Sequence, residues 1–225
     1  MAKHRRTWNN SIFNKYLSEG RGQGFGAVYT PWLCIQDFPS LGMVSRVSGA
    51  TTGRIHHLMS NLELSLFYLL DWSDDVIDIR EQYLSVKPSS ELGKPRVREK
   101  LEIERRYWSK RGVGWSVMTE NEINGVKARS IEWLSQARDL SVFGLCGKTQ
   151  DDCRKFFLDA YNAAYHSLGC LFRTIEKAFG LASGMGLNIY KHLVYWKHIN
   201  FNAEEKVDVN KLCFCSHPHH AGGAA

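Results

Sequence analysis

The stretch "DIREQYLSVKP" at residues 78–88 joins two strand-like patterns with no turn residue between them. The first pattern, "DVIDIREQY" at 75–83, is rich in β-branched side chains and predicts a strand. The second, "LSVKP" at 84–88, predicts another strand, which ends at a proline because proline cannot donate to a sheet ladder. Two neighbouring strands need a connection, so the junction near residues 83–86 requires an explanation.

An amphipathic helix and a further strand follow this junction. "RVREKLEIERRYWSKRG" at 96–112 has apolar residues on one side and many basic residues on the others, and Gly112 is expected to end the helix. "WSVMT" at 115–119 predicts a strand, and "ENEINGVKARSIEWLSQA" at 120–137 is mostly helical in pattern. Alternating strands and helices favour parallel strand pairs with right-handed crossovers, so the sequence predicts an α/β domain.

The part of the chain before the junction predicts two strand regions and a helix. "TPWLCIQDF" at 30–38 predicts a strand, and "RVSGATTGRIHHL" at 46–58 predicts a hairpin around a Gly/Thr turn. Ser60 has the position of an N-cap for the helix "NLELSLFYLLDW" at 61–72. A shorter helix is expected at 7–19.

The pattern becomes helical after about residue 140. Thr149 with Asp152 resembles a capping box, and three apolar-periodic segments follow it. We therefore divide the chain into a first domain at 1–138 and a mainly helical second domain at 139–225, which we expect to end in a short strand or hairpin.

Composition excludes some classes of protein. Apolar residues make up 44% of 225 residues, which is enough for a packed core. No run of about 18 apolar residues occurs, so no membrane span is expected. The six cysteines do not form a disulfide framework and no secretory signal is recognisable, so we expect a reducing cytoplasm. The net charge of +6 suits a polyanionic partner without proving one.

Glu63, Ser85 and Lys87 are the candidates for chemistry. A metal-dependent nuclease needs carboxylates for Mg²⁺ and benefits from a lysine that stabilises the charge of the transition state. Ser85 and Lys87 share one face of the predicted strand, because side chains alternate along it. Two structural interpretations stay open: "SNLE" at 60–63 is also a capping box, and a lysine at the end of a strand is usually solvated.

The tail contains soft metal ligands in an unusual arrangement. "CFCSHPHH" at 213–220 does not have the ligand spacing of a standard zinc finger, so a structural zinc is disfavoured. The residues concerned are Cys213, Cys215, His217, His219 and His220.

Six segments give the chain a family resemblance over roughly residues 19–195. The sequence resembles TnsA, the endonuclease subunit of Tn-seven-type heteromeric transposases, some of which are CRISPR-associated. The matching segments are "EGRGQGFGAVYTPWLCIQDFPSLG", "GRIHHLMSNLELSLFYLLDWSDDVIDIREQY", "VKPSSEL", "EKLEIERRYW", "TENEINGVKARSIEWL" and "NIYKHL".

The resemblance implies a fold, a reaction and partners. It implies a restriction-endonuclease-like N-terminal domain and a winged-helix-like C-terminal domain. It also implies Mg²⁺-dependent cleavage at the 5′ ends of a bacterial transposon. A DDE-type transposase, TnsB, would cut the 3′ ends, and a AAA+ ATPase, TnsC, would bind the C-terminal domain.

The resemblance also assigns roles to individual residues. Glu63 takes the place of the metal-binding glutamate and Lys87 that of the catalytic lysine. Ser85 stands where relatives carry glutamine or glutamate, and its hydroxyl is a shorter and weaker metal ligand. As a weaker inference from charge, several basic side chains are expected to contact DNA phosphates. These are Arg80, Lys100, Arg105 and Arg106.

One family feature is absent from this sequence. Relatives carry a segment between "DIREQY" and "VKP" that ends in a strand with the metal-binding aspartate, and Asp78 does not replace it because "DIREQ" lies upstream of that segment. Either the protein has lost the strand, or the printed sequence lacks it. Deleting a central strand would leave its neighbours unpaired, which favours the second explanation. True loss would favour a catalytically inactive adaptor that links the transposase to its ATPase.

Overall fold

The computed structural model describes residues 10–37, 43–80, 84–110, 112, 114–163 and 167–208. Within these residues the fold is mixed α/β, with seven α-helices and two small two-stranded sheets. The chain divides into two compact units, residues 1–128 and 129–225. No helix in the described part of the chain is long and apolar enough to cross a membrane.

The first unit opens with a helix and a hairpin. Helix α1 is Asn10–Ser18, and strands β1 (Ser45–Ser48) and β2 (Ile55–Leu58) pair antiparallel, which confirms the predicted hairpin. Asp71, which is buried, fixes the turn between the strands. Its two carboxylate oxygens each accept a hydrogen bond of 3.0 Å from the amides of residues 50 and 51.

Helix α2 (Asn61–Asp71) begins where the sequence predicts. Ser60 is its N-cap, and the Ser60 hydroxyl accepts the backbone N–H of Glu63 at 3.2 Å. The Glu63 carboxylate reaches back to the N–H of Met59 at 2.8 Å, one residue before the cap. Phe67 is 2% exposed, so the apolar side of α2 is anchored in the core and its first turn is fixed by reciprocal hydrogen bonds.

A strand–helix–strand unit follows the junction, as predicted. Strand β3 (Leu84–Val86) and strand β4 (Ser116–Met118) are parallel, with Ser85 opposite Val117. Helix α3 (Pro95–Ser109) connects them and starts at a proline, whose fixed φ suits the first turn of a helix. Within the described residues this sheet consists of β3 and β4.

The predicted strand at 30–38 is wrong for residues 30–37, the part that the structure describes. Residues Ile35–Asp37 form a 3₁₀ turn instead. The Asp37 carboxylate accepts the N–H of Cys34 at 2.8 Å and a guanidinium N–H of Arg21 at 2.6 Å. A side-chain cap of this kind competes with sheet pairing, so it closes the turn.

The predicted strand at 75–83 is wrong for its described part. Residues 75–80 form a turn and extended coil without strand pairing, and residues 81–83 lie outside the described residues. The Asp78 carboxylate accepts the N–H of Ile79 at 2.9 Å, which ties this backbone to a side chain rather than to a neighbouring strand.

The second unit is mainly helical, as predicted. Helix α4 (Gly125–Ser135) crosses the boundary between the units, and α5 (Gly147–Asn162), α6 (Leu168–Phe179) and α7 (Met185–Tyr195) follow. The three later helices contact one another in pairs. A Cβ on Gly186 would lie 2.5 Å from the Cα of Phe172, so this glycine lets α6 and α7 approach closely. The core side chains of this unit include Leu134, Leu140, Phe157, Leu171, Ile175, Ile189 and Leu193.

One expectation for this unit is wrong. Helix α5 begins at Gly147 after Cys146, whose side chain makes no capping hydrogen bond, so Thr149 lies inside the first turn and does not cap the helix. Residues 129–163 and 167–208 contain no strand, and the end of the chain at 209–225, where the terminal strand or hairpin is expected, lies outside the described residues.

Candidate functional site

The first unit contains a cavity of about 270 Å³ that brings the three predicted residues together. Glu63 lines it from the first turn of α2, Ser85 from β3, and Lys87 from the position just after β3. The wall also includes side chains of β2. Glu63 precedes Ser85 by 22 positions and Lys87 by 24, and all three line the same cavity. Asp78 is not among the residues that line it.

Glu63 is held in a defined orientation. One of its carboxylate oxygens, Oε2, accepts the Met59 N–H at 2.8 Å, and its backbone N–H is bound by Ser60. A carboxylate offers about four acceptor positions on two oxygens, so one hydrogen bond leaves capacity for a cation. The capping role and a ligand role are therefore compatible.

Ser85 has a partner that the sequence did not reveal. Its hydroxyl donates to Oε2 of Glu104 on α3 at 2.5 Å. Because the proton points to Glu104, the oxygen lone pairs of Ser85 are available in other directions, including the cavity. Glu104 thus orients the hydroxyl and increases its electron density.

Lys87 stands at the end of β3 with its backbone fixed to the sheet. Its N–H donates to the carbonyl of Met118 at 3.0 Å, and its Nζ donates to the carbonyl of Val86 at 3.1 Å. An ammonium has three donors, so this contact uses one of them. The arrangement places a positive charge in the same cavity as the Glu63 carboxylate.

Two histidines of β2 also line the cavity and were missed from the sequence. Burial, and then the charge of Arg54, lowers the pKa of His56 to about 4, and its Nε2 lies 2.7 Å from the hydroxyl of Thr52. Burial also lowers the pKa of His57, whose Nδ1 accepts the N–H of Ile35 at 3.3 Å. Both imidazoles are therefore neutral at physiological pH and add no cationic charge.

The four basic residues expected near DNA occupy different environments. Arg80 lines the cavity, and its Nε lies 3.2 Å from the carboxylate of Asp78. Lys100 lies on α3 and is exposed. Arg105 and Arg106 are exposed on the same helix, where both pair with Glu102 at 2.7 and 2.6 Å. These two hydrogen bonds lower the pKa of Glu102 to about 2.

The donor chemistry of the cavity fits a hard cation with most of its water shell. Glu63 offers a carboxylate and Ser85 an oriented hydroxyl, and Mg²⁺ is typically bound through one or two carboxylates while it keeps several waters. The described residues contain no group of three or more His, Cys, Asp or Glu that could hold a metal. The described residues therefore do not form a closed, fully protein-ligated site, and a hard cation in this cavity would keep several of its waters.

Two predicted features lie outside the described residues. The Cys/His segment at 213–220 is one. The chain that leads into the junction, residues 81–83, is the other, and the alternatives for the missing aspartate strand therefore stay open.

Comparison with known proteins identifies the family. Residues 68–120 match the model of the TnsA-like endonuclease N terminal domain, and residues 122–202 match that of the TnsA endonuclease C terminal domain. The chain is also 35% identical over 187 residues to the Transposon Tn7 transposition protein TnsA of Escherichia coli, which covers 63% of this chain and 68% of that protein. The order of both matches agrees with the order of the two units, and the chain belongs to the TnsA family of transposition endonucleases.

Proposed function

We propose that this protein hydrolyses one DNA strand at each end of a transposon, at the 5′ ends, in a Mg²⁺-dependent reaction. The observation that carries the proposal is the shared cavity of Glu63, Ser85 and Lys87 in a chain of the TnsA family. A carboxylate, an oriented hydroxyl and an ammonium around one chamber suit the hydrolysis of a phosphodiester.

Glu63 and Ser85 would hold the ion. The carboxylate supplies the charge, and the hydroxyl supplies a neutral oxygen whose direction is fixed by Glu104 at 2.5 Å. When bound, Mg²⁺ would neutralise charge on the scissile phosphate and lower the pKa of the attacking water. The hydrogen bond between Met59 and Glu63 keeps the carboxylate in place before the ion arrives.

Lys87 would act on the phosphate and the attacking water. Its ammonium donates hydrogen bonds to oxygens on which negative charge grows, and this stabilises the transition state more than the ground state. The hydrogen bond from the Lys87 N–H to the Met118 carbonyl fixes the backbone from which this side chain extends.

Membership of the TnsA family supports a proposal about the partners. We propose that a TnsB-type DDE transposase cuts the 3′ ends and that a TnsC-type AAA+ ATPase binds the second unit. A restriction-endonuclease-like first domain and a winged-helix-like second domain belong to the same proposal, and work on chromosomal DNA would place the protein in the bacterial cytoplasm. The basic residue at the rim of the cavity, Arg80, and those on α3 would contact DNA phosphates.

A reconstituted reaction with end DNA and both partners tests the proposal. Glu63→Ala or Lys87→Ala should abolish 5′-strand nicking while the transposase still cuts the 3′ strand in the same tube. The intact 3′ cut shows that the complex has assembled. Normal 5′ nicking by either variant would refute the assignment of these residues.

A second function is favoured by one observation. Among the described residues that line the cavity, Glu63 is the one with a carboxylate. In the described part of the chain, strand β3 pairs on one edge only, with β4. A protein that had truly lost the aspartate strand would serve as an inactive adaptor between transposase and ATPase. It would support 3′ cutting without 5′ nicking at any Mg²⁺ concentration.

A further inference from the structure

His57 lies on strand β2 and lines the cavity of the candidate site. Side chains alternate along a strand, so His57 shares a face with Ile55, which is 54% exposed. Its neighbour His56 is 5% exposed on the other face, and the Nε2 of His56 lies 2.7 Å from the Thr52 hydroxyl. Of these two imidazoles, His57 is therefore the one that a ligand in the cavity can reach more easily.

One hydrogen bond determines which nitrogen of His57 carries the proton. The backbone N–H of Ile35 donates to Nδ1 of His57 at 3.3 Å, so Nδ1 supplies a lone pair. A neutral imidazole has one N–H and one acceptor nitrogen, so its proton is on Nε2. Burial, and then the charge of Arg46, lowers the pKa of His57, which keeps the ring neutral at physiological pH. His57 is thus a neutral hydrogen-bond donor through Nε2.

The turn that presents the Ile35 N–H is held by other side chains. Within the turn at Ile35–Asp37, the Asp37 carboxylate accepts the N–H of Cys34 at 2.8 Å and a guanidinium N–H of Arg21 at 2.6 Å. Hydrogen bonds between charged groups are stronger than those between neutral groups. These contacts therefore keep the donor to Nδ1 in place and, through it, the proton on Nε2.

Strand β2 also fixes His57 relative to Glu63. The backbone of His57 pairs with that of Arg46 across the hairpin, and β2 ends one residue after His57. The next residue, Met59, donates its backbone N–H to Oε2 of Glu63 at 2.8 Å. The imidazole and the N–H that orients the proposed metal-binding carboxylate therefore belong to one short piece of backbone.

The position of the proton decides which ligand His57 can take. A metal ion needs a lone pair on Nε2, and so does a proton that is to be abstracted by this nitrogen. Either would require the ring proton to move to Nδ1 and would break the hydrogen bond with Ile35. An N–H donor suits an anionic oxygen instead, and Arg54 and Lys87 add positive charge to the wall of the same cavity.

We propose that His57 binds substrate in the nuclease site, where its Nε2–H donates to a non-bridging oxygen of a DNA phosphate next to the scissile one. The identity of the substrate rests on the function proposed above. The oxygens of the scissile phosphate are assigned there to Mg²⁺ and Lys87, which leaves the neighbouring phosphate to His57. The hydrogen bond aligns the DNA strand for attack and takes no part in proton transfer.

Two amide substitutions separate the donor of the ring from its acceptor. His57→Asn places an amide oxygen near the position of Nδ1, where it can still accept the Ile35 N–H, but the side chain is too short to donate from the position of Nε2. His57→Gln places an amide N–H near the position of Nε2. His57→Asn should weaken DNA binding about tenfold, as expected for one hydrogen bond to a charged acceptor, and His57→Gln should stay within about threefold.

Fluorescence anisotropy of the full chain with its partner transposase on labelled end DNA in EDTA measures these affinities. A methylphosphonate, which replaces one non-bridging oxygen by a methyl group, is placed in turn at each phosphate beside the 5′ cleavage position. At one of them it should cost wild type about tenfold more than it costs His57→Asn, because both changes remove the same hydrogen bond. The slope of log K against log [salt] should be equal in the two proteins, since a neutral donor neutralises no phosphate.

Ile55→Asn is the matched control, because Ile55 lies on the same face of β2 and does not line the cavity. It should bind DNA as wild type does. His57→Ala also lacks the donor and should behave as His57→Asn does, and thermal unfolding shows whether each variant is folded. Binding in EDTA needs no hydrolysis, so these results stay readable even if the protein makes no 5′ nick.

Three results would overturn the proposal. Equal losses in His57→Asn and His57→Gln would show that the ring acts through its shape and not through its donor. Fully additive effects of His57→Asn and the methylphosphonate at both phosphates would show that His57 contacts neither. Unchanged DNA affinity in His57→Asn, with a higher Mg²⁺ requirement for nicking, would make His57 a metal ligand instead.

Discussion

Glu63 stabilises the first turn of α2, and we propose that it also holds the metal ion. Two substitutions, at Ser60 and at Glu63, should distinguish these roles. Ser60→Ala removes the hydroxyl that accepts the Glu63 N–H at 3.2 Å, and the loss of such an N-cap costs about 1 kcal/mol. Glu63→Gln keeps a side-chain carbonyl that can accept the Met59 N–H but replaces a charged acceptor by a neutral one, which also costs about 1 kcal/mol. The two variants should therefore lose similar unfolding free energy.

Their activities should differ greatly. Ser60→Ala leaves the carboxylate in the cavity, so 5′ nicking should stay within about twofold of wild type, as for a substitution outside the reacting groups. Glu63→Gln removes the charge that would hold Mg²⁺, and nicking should fall by at least about 10²-fold, the usual effect of losing one electrostatic contact in an active site.

Urea unfolding followed by circular dichroism measures the first quantity, and single-turnover nicking of end DNA with partners present measures the second. If Ser60→Ala loses as much activity as Glu63→Gln, the effect of Glu63 passes through the cap of α2 and the ligand role is wrong. Full activity in Glu63→Gln would contradict it as well.

Further predictions concern other side chains. Glu104→Gln should raise the Mg²⁺ concentration for half-maximal nicking by about tenfold, the effect expected when a metal ligand loses its outer partner. Ser85→Ala removes the proposed ligand itself and should raise that concentration at least as much. Glu99→Gln, on the exposed side of the same helix, should leave it unchanged, and equal Mg²⁺ dependence in all three variants would contradict the role of Glu104. Lys191 is 5% exposed and donates to Gln136 at 2.8 Å, and burial lowers its pKa to about 8. The unfolded chain binds more protons than the folded chain between about pH 8 and 10, so wild type should gain unfolding free energy relative to Lys191→Met as pH rises through that window. Urea unfolding at stepped pH checks this, and a difference that does not vary with pH would refute it.

Local signals explain what the sequence could predict of the fold. Ser60 and Glu63 form a cap within four residues, and the alternation around Ser85 and Val117 predicts strands without any knowledge of the partner. Helix α3 has an apolar side and lies between two strand patterns, so the strand–helix–strand unit was predictable as a whole.

Long-range side-chain contacts explain the errors. The turn at Ile35–Asp37 depends on Arg21, which lies 16 residues from Asp37, and the segment near Asp78 contacts the N–H of Gly26 at 3.4 Å, 52 residues away. A hydrophobic or propensity pattern covers only neighbouring residues, so it does not include hydrogen-bond partners that are this far apart in sequence. Strand propensity therefore predicted sheet where side chains hold the backbone in turns and coil.

The site was only partly accessible from sequence. From spacing alone, the favoured interpretations were a capping role for Glu63 and a solvated charge for Lys87. The family resemblance predicted a chemical role for both. Glu104 could not be found in this way, because its contact with Ser85 joins a helix to a strand 19 residues away. His57 was missed for the same reason, since its place in the cavity depends on the hairpin.

The proposed nuclease needs the strand that would carry a metal-binding aspartate, whereas the inactive adaptor does not. The most direct test is therefore the reaction of the full-length protein. End DNA labelled at both strands, the two partner proteins and Mg²⁺ are combined, and both cuts are followed on a sequencing gel. We predict a 5′ nick that disappears in EDTA and returns with added Mg²⁺. A normal 3′ cut by the transposase, with no 5′ nick at any Mg²⁺ concentration, would contradict hydrolysis by this protein and show an adaptor instead.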